Sequence, residues 1–514
     1  MKHFFTALLV LLFVPQLTAQ TLDPTFGTAG VALVDAGYSD VIRDITLQAD
    51  GKIIAAGWSY DPTSTFMMLA RFHPDGTLDN TFGTNGVRFN PVVAAASGAE
   101  AVLVQPDGKI LVAGYHNNNV TNFICVWRFN ENGTVDNGFG SSGHYIAFAI
   151  PGTASFATGM ALQPDGKILV TGPAYNGASS GACVLRLTTT GALDTSFNTT
   201  GYRVLENYAG NESYLTNCIA LQTNGKILAA GTFRTAPGAD VTNDALCIRL
   251  NSDGSFDTGF ANGTGVKVVE VPAYEEYLYA IALLPDGRIM MTGDGQSTGS
   301  ANWNLLFERL EADGNTDPSL GTSAILWNPL NYQEYARGLN IQPDGKYLIT
   351  GSAVDVGGAT AFAARTSSSA MGDIGFGSNG YLDADFGDWT YAEAALIQPD
   401  GKYLIAGNSA SGGAPYDMML ARYDVGITMG LTDQDLVSNA IALFPNPNEG
   451  HFTLRVGTSA IDHLAIIDAQ GRILRSMHAL QGDVPLDLSE LPPGPYSVKA
   501  IAAGKVTTLP FIKH

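Results

Sequence analysis

Leu162-Gln-Pro-Asp-Gly-Lys-Ile-Leu-Val-Thr-Gly172 decides how this chain folds, because it returns seven times. The glycine of its Asp-Gly-Lys core falls at Gly51, Gly108, Gly166, Gly225, Gly287, Gly345 and Gly401, with spacings of 57, 58, 59, 62, 58 and 56 residues. The fourth and fifth copies vary it as Asn224-Gly225-Lys226 and Asp286-Gly287-Arg288. A second anchor follows each first one: an arginine inside an apolar run, then Asp-x-x-Phe-Gly. Its arginines are Arg71, Arg128, Arg186, Arg249, Arg309, Arg365 and Arg422. Its aspartates are Asp79, Asp136, Asp194, Asp257, Asp317 and Asp373. The seventh copy stops at Arg422-Tyr423-Asp424, and the missing aspartate stands near the other end of the chain, in Asp23-Pro-Thr-Phe26-Gly27.

Each unit reads as four short strands bounded by Gly, Asp, Asn or Pro. In the first unit these are Val31–Val34, a segment centred on Ile45–Leu47, Lys52–Ala56 and Phe66–Phe72. Pro-Asp-Gly suits a tight antiparallel hairpin with glycine at positive φ. Small residues at Gly159, Ala280, Gly338 and Ala394 suit a crowded inner strand. One four-stranded meander cannot bury both faces, whereas seven packed radially can. A linear solenoid would be mostly parallel, which seven tight hairpins oppose. The expected fold is all-β: a seven-bladed β-propeller of four-stranded blades, closed by the N-terminal Asp23 anchor.

The two anchors, recurring in order over about residues 21 to 425, resemble those of the delta-60 repeat family. That family is largely uncharacterised, so the resemblance implies the architecture and little biochemistry.

With 27 basic and 48 acidic residues the net charge is −21, and about half of the basic residues belong to the repeat anchors. No basic patch is left for phosphates, so a nucleic-acid partner is not expected. Residues 1–19 read as a signal peptide: Lys2, an apolar core from Phe4 to Val14, and a cleavage site after Ala19. No other stretch is apolar enough to span a bilayer. The four cysteines, Cys125, Cys183, Cys218 and Cys247, stand in apolar strand contexts without metal-ligand spacing, and no disulfide is expected.

The period stops at Gly426. Residues 20–425 are therefore read as the propeller, 426–439 as a linker and 440–514 as a small Ig-like β-sandwich of short alternating strands. Pro445-Asn446-Pro447, Gly450, Asp468, Gly471-Arg472, Leu491, Gly494 and Tyr496 resemble the type A C-terminal sorting domain of the type IX secretion system of Bacteroidetes. The resemblance implies the secretion machinery as a partner, passage across the outer membrane, removal of the tail, and release or attachment at the cell surface.

Polar groups present in every unit are more economically structural than catalytic. A half-buried guanidinium needs acceptors, and the Asp of the following turn can supply them. No Ser-His-Asp order, His-Glu-x-x-His or phosphate loop appears, so no cofactor or metal is expected. The Asp-Gly-Lys and Asp-x-x-Phe-Gly turns fall on one face of an up-and-down blade, which leaves the variable loops on the other. There the order Glu then Tyr recurs at Glu276-Tyr277 and Glu334-Tyr335, and Phe156, Tyr277, Tyr335 and Tyr391 occupy equivalent positions. Tyr214, Tyr277, Tyr335, Trp389 and Tyr391 are candidate stacking residues, with Glu276, Glu334 and Asp388 as hydrogen-bond acceptors. Three functions fit: a binding module for a glycan, peptide or surface ligand; a polysaccharide hydrolase or lyase with Glu276 and Glu334 as acid and base; or a structural surface protein.

Overall fold

A computed structural model describes residues 20–426 apart from short loop stretches, chiefly 90–95, 141–144, 149–153, 207–212 and 235–242, together with the strands of 442–513. The expected signal peptide, and the expected linker beyond Gly426, lie outside the described residues. The chain divides into two compact units, Met1–Met429 and Gly430–His514.

The first unit is seven antiparallel four-stranded blades. In the first blade the strands run inner to outer as Ser39–Leu47, Ile53–Tyr60, Thr65–Phe72 and Val87–Phe89. The inner strands of the next six blades are Ser97–Val104, Gly159–Leu162 with Ala154–Ser155, Ser213–Leu221, Tyr274–Leu283, Gln333–Ile341 and Trp389–Ile397. One expectation is corrected. Val31–Val34 does not begin the first blade but pairs with Asp417–Asp424 as the outer strand of the seventh. The reason is local: the Asp-x-x-Phe-Gly turn folds each third strand back on an outer strand of its own blade. The segment after that outer strand is what crosses to the next blade.

The hairpin glycines have the positive φ that the turn requires, 82° at Gly51 and 80° at Gly166. Apolar side chains from facing blades interlock. Ile42, Ile53 and Met68 of blade one pack with Leu404, Met418 and Leu420 of blade seven, so the ring is closed by core as well as by strand pairing.

The second anchor is a clasp. In each blade the arginine Nε donates to the turn aspartate at 2.5–2.8 Å, from Arg71–Asp79 through Arg365–Asp373 to Arg422–Asp23. Its Nη1 donates to a backbone carbonyl of the next blade, as from Arg71 to Glu131 and from Arg422 to Pro74. In six blades the guanidinium lies over the anchor phenylalanine, 4.3–4.8 Å from its centroid; in blade five Leu320 takes that place. The hairpin lysine adds a second cation, as at Lys109 and Asp136, 3.1 Å apart. Burial works against ionising Asp79, but hydrogen bonds from Thr81 and Lys52 and the charge of Arg71 outweigh it and hold the carboxyl well below its usual range. The repeated charges are therefore consumed in holding blade to blade.

All four cysteines are free thiols. Cys218 and Cys247 both flank Ala230 in register, two strand spacings apart, or about 9.6 Å, beyond the span of a disulfide.

The second unit has a sheet of Ala442–Phe444, His451–Arg455 and Val484–Asp487, and a four-stranded sheet built on Ile461–Asp468 and Gly494–Ala502. Leu464, Ile466 and Val498 are fully buried and Leu486 nearly so, as a two-sheet sandwich requires.

Candidate functional site

Every inner strand carries one residue too many. In blade one Ile42 pairs with Gly57 and Asp44 with Ala56, which leaves Arg43 unpaired in a β-bulge. The same shift isolates Glu100, Asn217, Tyr279, Arg337 and Glu393 in blades two, four, five, six and seven. Thr158 takes the corresponding place in blade three, between Ser155–Ala174 and Gly159–Thr171. The bulge is built into the repeat. The last glycine of the anchor lies opposite it, and a Cβ there would stand 1.8 Å from the Val41 carbonyl at Gly57 and 1.9 Å from the Tyr335 carbonyl at Gly351. Only glycine lets the bulged backbone approach so closely.

The seven bulge residues converge on a central cavity of about 450 Å³, floored by the small residues that follow them, among them Ala101, Gly159, Gly338 and Ala394. Seven equivalent positions thus become seven different side chains around one axis. Arg43 is held between Glu100 (2.9 Å) and Glu393 (2.6 Å). Burial would lower its pKa, but the charges of Glu393 and Glu100 raise it. Thr158 and Asn217 donate to backbone carbonyls of the next blade, those of Thr216 and Leu278, at 2.7 Å. Arg337 donates through Nη1 to Asp294 (3.1 Å) and to the Ala336 carbonyl (2.7 Å), and its guanidinium lies 4.2 Å from the Tyr279 ring centroid. Burial pushes Asp294 up to about 6 against the pull of Arg337, and Asp44 up to about 7 against hydrogen bonds from Val102 and Ile45.

Two residues before each bulge, on the same side of the strand, stand Phe156, Tyr277, Tyr335 and Tyr391, with Val41, Gly98 and Leu215 in the other blades. Aromatic residues therefore crowd the variable-face mouth over blades five to seven. Trp303 lies 5.5 Å from Tyr277 and 6.3 Å from Tyr335 between ring centroids. Trp389 stacks on Tyr391 at 6.4 Å, and Tyr416 meets Tyr391 edge-on at 6.1 Å. Tyr335 also lies within 5.7 Å of the Arg337 guanidinium, which links the mouth to the cavity.

The family described as "domain of unknown function (DUF5122) beta-propeller" matches residues 48–82, 105–139, 163–197, 222–260, 342–364 and 398–425. The "secretion system C-terminal sorting domain" matches residues 442–514. This chain is a DUF5122 β-propeller with a C-terminal sorting domain. The stretch left unmatched includes blade five, where Arg288 and Leu320 replace the usual Lys and Phe. The delta-60 resemblance and the sorting-domain resemblance both hold. The tail marks the DUF5122 propeller for export by the type IX secretion system, to the cell surface or beyond. Among the described residues no helix is long and apolar enough to cross a membrane.

Comparison with curated protein sequences finds no match. Among solved structures, PorZ, a surface component of the type-IX secretion system of Porphyromonas gingivalis, is 12% identical with a TM-score of 0.40; the match covers 93% of this chain and spans 60% of that one. Virginiamycin B lyase from Staphylococcus aureus is 13% identical (TM-score 0.43, covering 76% of this chain and 98% of that one). Polysaccharide lyase Uly1 is 10% identical (TM-score 0.42, covering 81% and 95%). Likenesses this distant carry no functional inference.

The structure separates the sequence candidates of this DUF5122 propeller into two sets. Tyr277, Tyr335 and Tyr391 are half-buried at the mouth, Trp389 is 37% exposed beside them, and Asp388 is exposed and accepts from the Gly412 amide at 2.6 Å. Tyr214, Glu276 and Glu334 are placed elsewhere. They stand one residue earlier than the channel-facing row, and strand alternation turns them between the blades. Tyr214 is fully buried against Phe233, 5.1 Å away, where it cannot stack on a ligand. Glu276 and Glu334 are 1% and 0% exposed, accepting from the Ala245 amide (3.3 Å) and the Leu330 amide (2.8 Å). Asp40, Ser97 and Thr390 do the same at the equivalent position, accepting from Ala36, Met67 and Phe386. This row stitches loops and strands together, and Glu276 and Glu334 do not form an acid–base pair over the cavity. Of the variable loop expected at residues 208–214, residues 208–212 lie outside the described residues.

Sequence reasoning missed Arg43, Glu100, Asn217, Tyr279, Arg337 and Glu393, along with Trp303 and Tyr416. A signal for the first group was present. A glycine repeated seven times inside an apolar strand marks a bulge or a close backbone approach.

The buried acids set the pH dependence. Burial raises Glu276 and Glu334 to about 8 against their amide hydrogen bonds. Folded protein then holds protons that the unfolded chain releases above about pH 4.5, so each group lowers stability by up to about 1.4 kcal/mol per pH unit from there to about 8. The clasp aspartates, with depressed pKa, act the other way. Their contribution is complete above about pH 4 and is lost in stronger acid. Calorimetry should therefore show the melting temperature highest near pH 4–5 and falling toward pH 8. The double variant Glu276→Gln, Glu334→Gln should flatten that fall; an unchanged slope would remove these two acids as its cause.

Proposed function

We propose that the exported propeller is a binding module for an extracellular saccharide, held at the variable-face mouth of the central channel over blades five to seven. The carrying observation is the cluster of Tyr277, Trp303, Tyr335, Trp389, Tyr391 and Tyr416 above a cavity lined by carboxylates, an amide and arginines. Ring faces accept the C–H face of a sugar, and the polar groups beneath accept or donate to its hydroxyls. The phenol of Tyr335 donates to Gln333 (2.8 Å), which steadies that ring.

Calorimetric titration with a panel of oligosaccharides tests this. Tyr335→Ala and Trp303→Ala should each weaken binding tenfold or more while lowering stability by only about 1–2 kcal/mol, because both rings are half-buried. A ligand whose binding ignores both changes, or protects only the Asp-Gly-Lys face, would remove the mouth as the site.

We further propose that residues 440–514 act as the export unit. Without them the folded propeller should accumulate in the periplasm, as read by cell fractionation; surface delivery of the truncated chain would exclude that role.

A further inference from the structure

We infer that Arg337 recognises a carboxylate, so that the ligand of the channel is an acidic saccharide, one whose sugar ring carries a carboxyl group; this rests on the saccharide reading of the mouth. The evidence is how its donors are used. A guanidinium presents Nε–H and Nη2–H as parallel donors along one edge, which matches the two oxygens of a carboxylate. In every clasp arginine the Nε end of that edge is taken by the turn aspartate, and in Arg71 the other end is taken too: Nε donates to Asp79 (2.8 Å) and Nη2 to Thr81 (3.2 Å). In Arg43, Nε is spent on Glu100. Arg337 is different. Both of its hydrogen bonds leave from Nη1, to Asp294 and the Ala336 carbonyl, and among the described residues neither Nε nor Nη2 donates to an acceptor.

The group is held ready rather than loose. Asp294 takes the Nη1 end and is itself fixed by the Ala336 amide at 2.7 Å. Tyr279 packs on the guanidinium at 4.2 Å and Tyr335 stands at 5.7 Å. The side chain is 26% exposed, and Arg337 lines the central cavity. An immobilised cation with an open edge gives up little entropy on binding.

The rest of the lining favours a sugar over an acidic peptide. Glu100 and Glu393 each use one oxygen on Arg43 and keep acceptor capacity toward the same axis, which suits the hydroxyl donors that a sugar ring carries and an acidic peptide such as polyglutamate lacks. Hydroxyls toward Glu100 and Glu393, a carboxylate on Arg337 and a ring face on Tyr335 describe one acidic sugar unit, and the cavity of about 450 Å³ lies within the range of small-ligand sites.

The test uses the full propeller and four probes: trigalacturonate, its methyl ester, a neutral trisaccharide and polyglutamate. Titration should show trigalacturonate bound best, with the ester and the neutral sugar about 10–100-fold weaker, the factor of a charge-assisted hydrogen-bond pair. Arg337→Gln should erase that preference, and Arg337→Lys should restore only part of it, because an ammonium has no fork. The ester comparison on unaltered protein reads the carboxylate even where Arg337→Gln disturbs folding. Equal binding of acid, ester and neutral sugar overturns the Arg337 inference and leaves the saccharide reading standing. Binding of no sugar overturns both. Arg337-dependent binding of polyglutamate alone replaces the saccharide with a peptide.

Discussion

Asp23→Ala should lower the unfolding free energy by about 3–5 kcal/mol, the cost of stranding a buried charge by removing its partner. Asp23 is 4% exposed and accepts from Arg422 Nε at 2.8 Å and from Lys402. Without it, Arg422 keeps its carbonyl on Pro74 and its place over the Phe26 ring but has no counter-charge. The loss is larger here than in any other clasp for a topological reason. Asp23 lies far from Arg422 in the chain, and with Thr21–Leu22 and Val31–Val34 it ties the first residues of the propeller to the last blade. The aspartates of the other clasps sit in a turn eight residues after their arginine. Urea denaturation should rank Asp23→Ala well below Asp373→Ala, since the Asp373 side chain is 19% exposed against 5% for Asp23. The gap between wild type and Asp23→Ala should close in acid. Hydrogen bonds and cations outweigh burial to depress the Asp23 pKa, so its contribution is complete above about pH 4 and is lost as pH falls through the depressed value. A loss under 1 kcal/mol at neutral pH would mean that the ring closes without this anchor.

Gly351→Ala should cost about 1–3 kcal/mol, as overpacking does, and should also displace Arg337. The new methyl would sit 1.9 Å from the Tyr335 carbonyl oxygen and 3.0 Å from the Ala336 Cα, which are backbone atoms that cannot rotate away. Relief requires the bulge to move, and Arg337 is the bulge. Gly338 provides the control: it follows the bulge, and a Cβ there meets only Thr350 at 3.6 Å and Ala395 at 3.7 Å. Blades two, five and seven already carry Ala101, Ala280 and Ala394 at that position. Gly338→Ala should therefore be near neutral in thermal melts, while Gly351→Ala melts lower and loses the binding dependence on Arg337. Equal melting of the two variants would show that the close approach at Gly351 is not maintained in solution.

How much of the site could be read from the chain depended on periodicity. Tyr277, Tyr335 and Tyr391 were found because they stand at one register position in three blades, and position in the repeat is visible in sequence. Their neighbours Glu276 and Glu334 were grouped with them because adjacency in sequence looks like adjacency in space. In a strand it means opposite faces, and those acids went between blades. Tyr214 was misplaced by the same single-residue difference. Trp303 and Tyr416 come from the third-strand segments of the same blades as Tyr277 and Tyr391, far from them along the chain, and only the folded blade brings the rings together at the mouth.

The repeat, the number of blades, the hairpin, the clasp of each arginine with its aspartate, the closure through Asp23 and the export tail are all legible in the order of the residues. All of these are carried by local turn chemistry and by spacing that recurs seven times. Which side chains share the central cavity is settled by the packed ring of blades. Arg43, Glu100 and Glu393 are 57 and 350 residues apart along the chain from the arginine outward, and nothing local pairs them. They meet because a one-residue bulge in each inner strand turns the same register position toward one axis. A sevenfold ring then makes the first blade a neighbour of the last.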